Sequence, residues 1–208
     1  MPDHTQLVRA LADAYSQEFP NSAQSHLRSL RSLVDGTSHG ARSFSPFPFF
    51  AQAAQGAWVT DIDGHRIIDY WQGHYANILG HNSALITERL IQSLEAGYGL
   101  QTGLMEEQEA AYAALLAEAT GTEQVRLTTS GTLATMYALM IARAYTGRRV
   151  VVKIGGGWHG ANPLALKGVA RHRASFDAVD SAGVSSTTDE EIIVTRFNDA
   201  EALERLFA

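Results

Sequence analysis

Cysteine is missing from all 208 residues. That excludes disulfide staples and thiolate zinc sites, and it suits a reducing compartment without requiring one. No basic stripe occurs either. Sixteen Lys and Arg stand against 22 Asp and Glu, scattered along the chain, for a net charge of −6. A nucleic-acid partner is therefore not expected. No apolar run approaches the roughly 20 residues that a membrane span needs, so no membrane partner is expected. The opening "MPDHTQLVRALADAY" brings an acid early and lacks a continuous apolar stretch, so it does not read as a signal peptide. Two nucleotide signatures are missing as well. There is no G-x-x-x-x-G-K-[ST] and no G-x-G-x-x-G. Internal repeats and low-complexity tracts are absent. The expectation left standing is a soluble cytoplasmic protein that handles something small.

What is present can build a core. The chain is 45% hydrophobic and 18% charged, within the range of ordinary globular proteins. Its length suits one large domain, or a domain with an arm. Leu7, Leu11 and Tyr15 are four apart, the stripe of a helix over 5–18 that Pro20 and Asn21 interrupt. Leu27, Leu30, Leu33 and Val34 predict a second helix over 22–34, stopped at Asp35-Gly36. "TSHGARSFSPFPFFAQAAQG" has no period and reads as an ordered loop packing its aromatics. "AWVTDIDGHRIIDYW" predicts a β-hairpin turning at Asp63-Gly64. Further helices are expected from Asn82 or Ser83 to Gly97 and over 105–119.

The middle of the chain then reads strand–"SGT"–helix–strand–"GGGWHG". "EQVRLTT" is the first expected strand. The helix after it carries Leu133, Met136, Tyr137, Met140, Ile141 and Ala144 on its expected buried side and closes at Gly147. "RRVVVKI" is a continuous apolar strand of the type covered on both faces. This predicts an α/β unit with parallel pairing through the crossover helix. Residues 168–190 read as irregular, "EIIVT" as a strand, and "DAEALERLFA" as a helix with no stop signal. The fold is therefore expected to continue past position 208.

Five small polar residues, Thr128 to Thr132, precede the central helix, more than one N-cap requires. A helix N-terminus offers free N–H groups and the positive end of a dipole, a ready cradle for an anion. Gly131 lets the backbone approach, and Ser130 and Thr132 add hydroxyl donors. A plain capped helix remains the alternative. At the end of the next strand, Gly155, Gly156 and Gly157 lead to Trp158 and His159. Ligands of open α/β sheets sit outside the carboxyl ends of strands, so both loops could serve one site. Core packing or an exposed turn is the alternative for Trp158.

These motifs together resemble the class III aminotransferases, fold-type-I pyridoxal-phosphate enzymes, and look most like their glutamate-1-semialdehyde 2,1-aminomutase branch. "TTSGTLATM" and "ARAYTGRRVVVKI" stand where that branch has Asn-Ser-Gly-Thr-Glu-Ala and R-x-Y-T-G-R. "KIGGGWHG" stands for Lys-Phe-x-Gly-x-Tyr-His-Gly. "GAWVTDIDGHRIIDY", the following "LGH" and the late "RFNDAEALERLFA" are similar too. The resemblance covers roughly residues 35–208. It implies the N-terminal part of the aspartate aminotransferase-like fold: an arm of helices and hairpin over 1–100, then the first part of the cofactor-binding domain over 101–208. It implies pyridoxal 5′-phosphate as cofactor, with Ser130, Gly131 and Thr132 on its phosphate, Trp158 stacked on its ring and His159 supporting the ring. It places Arg42 on the carboxylate of a small amino acid or amino-aldehyde substrate and His74 on the substrate side. It also implies a homodimer. An ordinary surface arginine is the alternative for Arg42.

The sequence departs from the pattern at several points. Leu133 replaces an acidic residue, and His74 stands where the aminomutases often have Trp. The aminomutase gating loop would fall on "KGVARHRASFDAVDSAGV", of which only "SAGV" is similar. The family's Schiff-base lysine and its pyridine-nitrogen Asp lie downstream of position 208. The only lysines here are Lys153 and Lys167, and neither matches the catalytic position, so no catalytic residue is assigned. The expected function is pyridoxal-phosphate-dependent amino transfer of the aminomutase kind. Intermolecular transamination and a non-catalytic fragment are the alternatives.

Overall fold

A computed structural model describes residues 4–98, 103–169 and 181–208. The expected gating segment lies largely outside the described residues. The chain divides into two compact units, Met1–Gly103 and Leu104–Ala208.

In the first unit, α1 (Thr5–Glu18) is followed directly by α2 (Pro20–Ser29). Pro20 begins the second helix rather than merely breaking the first. It sits in the first turn, where a missing N–H costs nothing. Helix α2 also stops earlier than its leucines suggest, and 34–36 and 40–42 form single 3-10 turns. Three strands, β1 (Ala51–Gln55), β2 (Trp58–Asp61) and β3 (Arg66–Ile68), form an antiparallel sheet in chain order. The hairpin stands where expected. Its loop is closed by the Asp61 amide donating to His65 O at 3.1 Å, and of the Asp63-Gly64 pair Gly64 alone takes positive φ, +94°. Strand β1 was not expected, because Ala and Gln favour no strand. It forms because β2 offers a second edge, and Ala54↔Val59 and Gln55↔Trp58 fill it.

Hydrogen bonds of the hairpin turn hold this unit together. The Asp63 carboxylate accepts from the amides of Asn21 (2.7 Å) and Ser22 (3.0 Å) and from the Ser22 hydroxyl (2.6 Å), so it caps α2 from a distant loop. The Ser22 hydroxyl in turn accepts from the Phe50 amide at 3.1 Å. Asp61, fully buried, accepts from the amides of Asp63 and His65 and meets His65 Nδ1 at 2.9 Å. The Phe-rich segment packs as an ordered loop: Phe47 is buried, its ring 5.1 Å from that of Tyr15.

A short turn, α3 (Gln72–Tyr75), is wound the wrong way. Gln72, Gly73, His74 and Tyr75 all take positive φ, between 45° and 65°. The Tyr75 amide donates to Trp71 O at 2.7 Å. This is one turn of left-handed helix, which costs non-glycine residues about 1–2 kcal/mol each. Asp69 compensates: its carboxylate accepts from the amides of Trp71 (2.7 Å) and Gln72 (3.0 Å) and meets His81 Nε2 at 2.7 Å. Helix α4 (Ala84–Glu95) follows, as expected.

In the second unit, α5 (Glu107–Thr120) and α6 (Gly131–Thr146) both stop at a left-handed glycine, Gly121 and Gly147. Strand β4 (Val151–Ile154) appears where "RRVVVKI" placed it. The segment 124–129 is not a strand, because no described strand pairs with it. The parallel partner of β4 is β5 (Ile192–Thr195), in register from Val151↔Ile192 to Ile154↔Thr195. A short α7 (Ser186–Glu190) precedes β5 within the tract read as irregular, and α8 (Ala200–Phe207) follows it, capped by Asp199. The expected buried side of α6 is only partly covered. Leu133, Met136 and Tyr137 are half-buried, whereas Met140, Ile141 and Ala144 are exposed. With two described strands the sheet is too narrow to cover the whole helix. Strand β4 is likewise mostly half-buried rather than closed on both faces.

Candidate functional site

Ser130 is the N-cap of α6. Its backbone is extended, and its side chain accepts from the Leu133 amide at 3.2 Å. Leu133, the departure from the acidic pattern, thus contributes through its backbone. Thr128 Oγ1 donates to Ser130 O at 3.0 Å and tightens the approach. The amides of Gly131 and Thr132 have no acceptor among the described residues. A Cβ built on Gly131 would meet nothing within 4 Å.

Thr132 faces two ways. Its Oγ1 accepts from the Ala161 amide at 3.2 Å. A hydroxyl has one proton and can accept as well as donate, so that of Thr132 still has its O–H to give, as has Ser130. The donors at this end of α6 are therefore two amides and two hydroxyls, with the helix dipole behind them. A phosphate monoester, all acceptor oxygens, fits this set.

The glycine-rich loop after β4 is seated against the same end of α6. Gly160 is buried, with φ +97°, and a Cβ there would lie 2.8 Å from Thr132 Cα, so only glycine allows the contact. Thr135 Oγ1 donates to His159 O at 2.8 Å, and Asn162 Nδ2 donates to Thr135 Oγ1 at 3.4 Å. On the other side, the His159 ring folds back over Gly157, where a Cβ would lie 2.7 Å from it. Trp158 is 61% exposed, so it is not core packing.

Both lysines are engaged in structure. Lys153, 7% exposed, donates to Ala165 O at 2.7 Å and Gly157 O at 3.4 Å, and so holds the loop from behind. Lys167 donates to Asp189 O and Ile192 O and lies 2.9 Å from Asp189 Oδ1.

Residues 39–205 match the family described as aminotransferase class-III. The chain belongs to the class-III aminotransferases. It is 35% identical over 188 residues to the glutamate-1-semialdehyde 2,1-aminomutase of Methanopyrus kandleri, covering 90% of this chain and 44% of that protein. Among solved structures, a transaminase with PLP bound superimposes with a TM-score of 0.81 at 32% identity, covering 91% of this chain and 44% of the other. The glutamate-1-semialdehyde aminomutase of Pseudomonas aeruginosa matches with the same TM-score at 26% identity, over 97% and 44%. The α/β fold is thus that of the transaminases. The chain spans about 44% of the length of these relatives.

Of the residues singled out from the sequence, Ser130, Gly131 and Thr132 share one helix end with the backbone of His159, beside Gly160. Arg42 and His74 lie in the first unit. There, Arg42 is exposed, donates to Ser38 Oγ at 2.8 Å, and borders a cavity of about 820 Å³ with Phe44, Phe49, Tyr70 and Trp71. His39 links Arg42 to His74: its Nδ1 accepts from Ala41 N in the turn of Arg42, and its ring meets that of His74 edge-on at 5.5 Å. The His74 ring lies 4.2 Å from the indole of Trp71. Burial disfavours ionisation of Asp69 beneath this turn. The His81 ring and the amides of Gln72 and Trp71 outweigh that and hold its pKa below the usual value. Thr135 and Asn162 escaped the sequence reading. The available signal was a second hydroxyl three residues after Thr132, on the same helix face.

Proposed function

We propose that this chain carries the phosphate-binding and substrate-recognition residues of a pyridoxal 5′-phosphate enzyme of amino-group transfer. The observation that carries the reading is the α6 N-terminus: two amides with no acceptor among the described residues and two hydroxyls with protons to give, beside open space at Gly131. In this reading Ser130, Gly131 and Thr132 hold the cofactor phosphate. Trp158 covers one face of the pyridine ring and His159 supports it. Arg42 offers a planar fork to the carboxylate of a small amino acid or amino-aldehyde, and His74 lines the substrate. When bound, the cofactor supplies an aldehyde that takes the amino group and a ring that withdraws electrons.

The finer reading is amino transfer within a single substrate, supported by relatives named glutamate-1-semialdehyde 2,1-aminomutase. Intermolecular transfer is the second reading, supported by the solved transaminase at an equal TM-score. We place the protein in the cytoplasm as a homodimer. The 208 residues by themselves are expected to bind cofactor without turning over substrate, because Lys153 and Lys167 are both committed to carbonyl oxygens. Equilibrium dialysis with pyridoxal phosphate, then borohydride reduction and peptide mapping, tests both halves of this statement. Saturable binding with no stoichiometric label on either lysine is the expected result. A specific label on Lys153 or Lys167 would overturn the assignment of no catalytic lysine. Failure to bind would overturn the cofactor reading.

A further inference from the structure

We infer that Thr135 is a positioning residue that fixes the Trp158-bearing loop against the phosphate-binding end of α6. The inference rests on the cofactor reading above, but it concerns a residue one turn inside the helix. The loop begins with three consecutive glycines, the residues that lose most conformational freedom on ordering. Something must therefore hold it. Lys153 ties its rear through Ala165 O and Gly157 O. Its front is held by Thr135 Oγ1 on His159 O (2.8 Å), Ala161 N on Thr132 Oγ1 (3.2 Å) and the close seat of Gly160 on Thr132. Asn162, only 4% exposed, adds its Nδ2 to Thr135 Oγ1. The carbonyl that Thr135 takes belongs to the residue after Trp158, so the bond sets where the indole stands.

A rival account exists on the same residue. Thr135 Oγ1 also lies 3.0 Å from Thr132 O, the back-bond that threonines often make within helices. If that were its whole role, Thr135→Ala would cost nothing, because Ala is the better helix former and the loop would not notice.

The two accounts separate in the 208-residue chain carrying Thr135→Ala, Thr135→Val or Thr135→Ser. Amide exchange of 158–161 by mass spectrometry, without cofactor, reads the loop directly. Equilibrium dialysis reads pyridoxal phosphate and, separately, inorganic phosphate. The Ala and Val variants are expected to raise loop exchange and to weaken pyridoxal phosphate roughly 2- to 12-fold, the span of one ordinary hydrogen bond. Inorganic phosphate, which needs only the helix end, keeps its affinity. Ser restores both loop protection and cofactor binding. Val keeps the shape and Ala keeps the helix, so one of them carries the test if the other folds poorly. Loop exchange and cofactor affinity at parent levels in both would overturn the inference. If the parent binds neither ligand, the cofactor reading falls, and the exchange data alone still decide the role of Thr135.

Discussion

In the proposed cofactor reading Gly131 and Thr132 serve one task, and they differ in what a substitution removes. Thr132→Ala deletes a hydroxyl that accepts from Ala161 N and keeps a proton to donate. Facing a charged phosphate oxygen, that donor is worth about 1.5–3 kcal/mol. Gly131→Val deletes nothing. Among the described residues no atom beyond its chain neighbours and its own helical turn lies within 4 Å of the new Cβ, so the fold is expected to tolerate it, but in the cofactor reading the side chain fills the space the ligand needs. Both variants should weaken pyridoxal phosphate, Gly131→Val more than Thr132→Ala, by equilibrium dialysis. A well-folded Gly131→Val chain with parent affinity would reduce the turn to a helix cap. The structure also accounts for much of the polar run before α6. Ser130 caps, Thr128 braces the cap, and Thr132 ties down the following loop. Only the first of these was legible from residue types. The brace from Thr128 is local, two residues on, but the tie at Thr132 depends on a loop nearly thirty residues downstream, and no local pattern announces such a partner.

At the level of elements, sequence was informative where backbone chemistry is local. Gly121 and Gly147 end their helices because a left-handed cap needs no neighbour. Strand formation is decided elsewhere. "AQAAQ" became β1 because β2 had an edge to give, while the more β-prone "EQVRLTT" has no described partner and stays irregular. The left-handed turn at 72–75 was illegible because it is held from outside: the Asp69 carboxylate, itself engaged by His81, accepts from the Trp71 and Gln72 amides, and Gln72 Nε2 reaches back to Asp69 O.

The hairpin turn carries a testable pH dependence. Asp63 is disfavoured as an anion by desolvation, but the Ser22 hydroxyl and the Asn21 and Ser22 amides win and lower its pKa. His65 is raised, first by its hydrogen bond to Asp61, then by the charges of Asp61, Glu18 and Asp63. A lowered carboxylate contributes stability that is present above its unfolded value, about 3.9, and is lost as pH falls through the folded one. A raised imidazole contributes stability that is full below about 6.5 and fades as pH rises through the folded value. Thermal melts should therefore show Asp63→Asn costing most near pH 6 and progressively less in acid. His65→Gln should cost most below neutrality and less in mild alkali. A cost that does not change with pH for both variants would show that the turn is held by shape alone.

Among the described residues, most of the large apolar side chains are exposed rather than buried. Among the described residues the buried apolar side chains are Phe47, Val59, Ala165 and Ile192. Helices α4, α5 and α6 bury no side chain completely. Leu85 is 71% exposed, Leu115 64% and Tyr145 91%. Apolar patches beyond a few hundred Å² are rarely left open in a soluble monomer. Strands β4 and β5 pair with each other alone among the described residues, so each presents an edge that another chain can extend. These surfaces need covering, and a second copy of the chain is the cover always present. The 208-residue chain is therefore expected to self-associate at micromolar concentration, to scatter light with a mass above that of one chain, and to bind a hydrophobic dye. Replacing Leu85, Leu90 and Leu94 on α4 by Gln should reduce that association if this helix takes part. A monodisperse monomer that unfolds cooperatively would show that the exposed faces are tolerated as they stand, and it would remove the physical argument for a dimer.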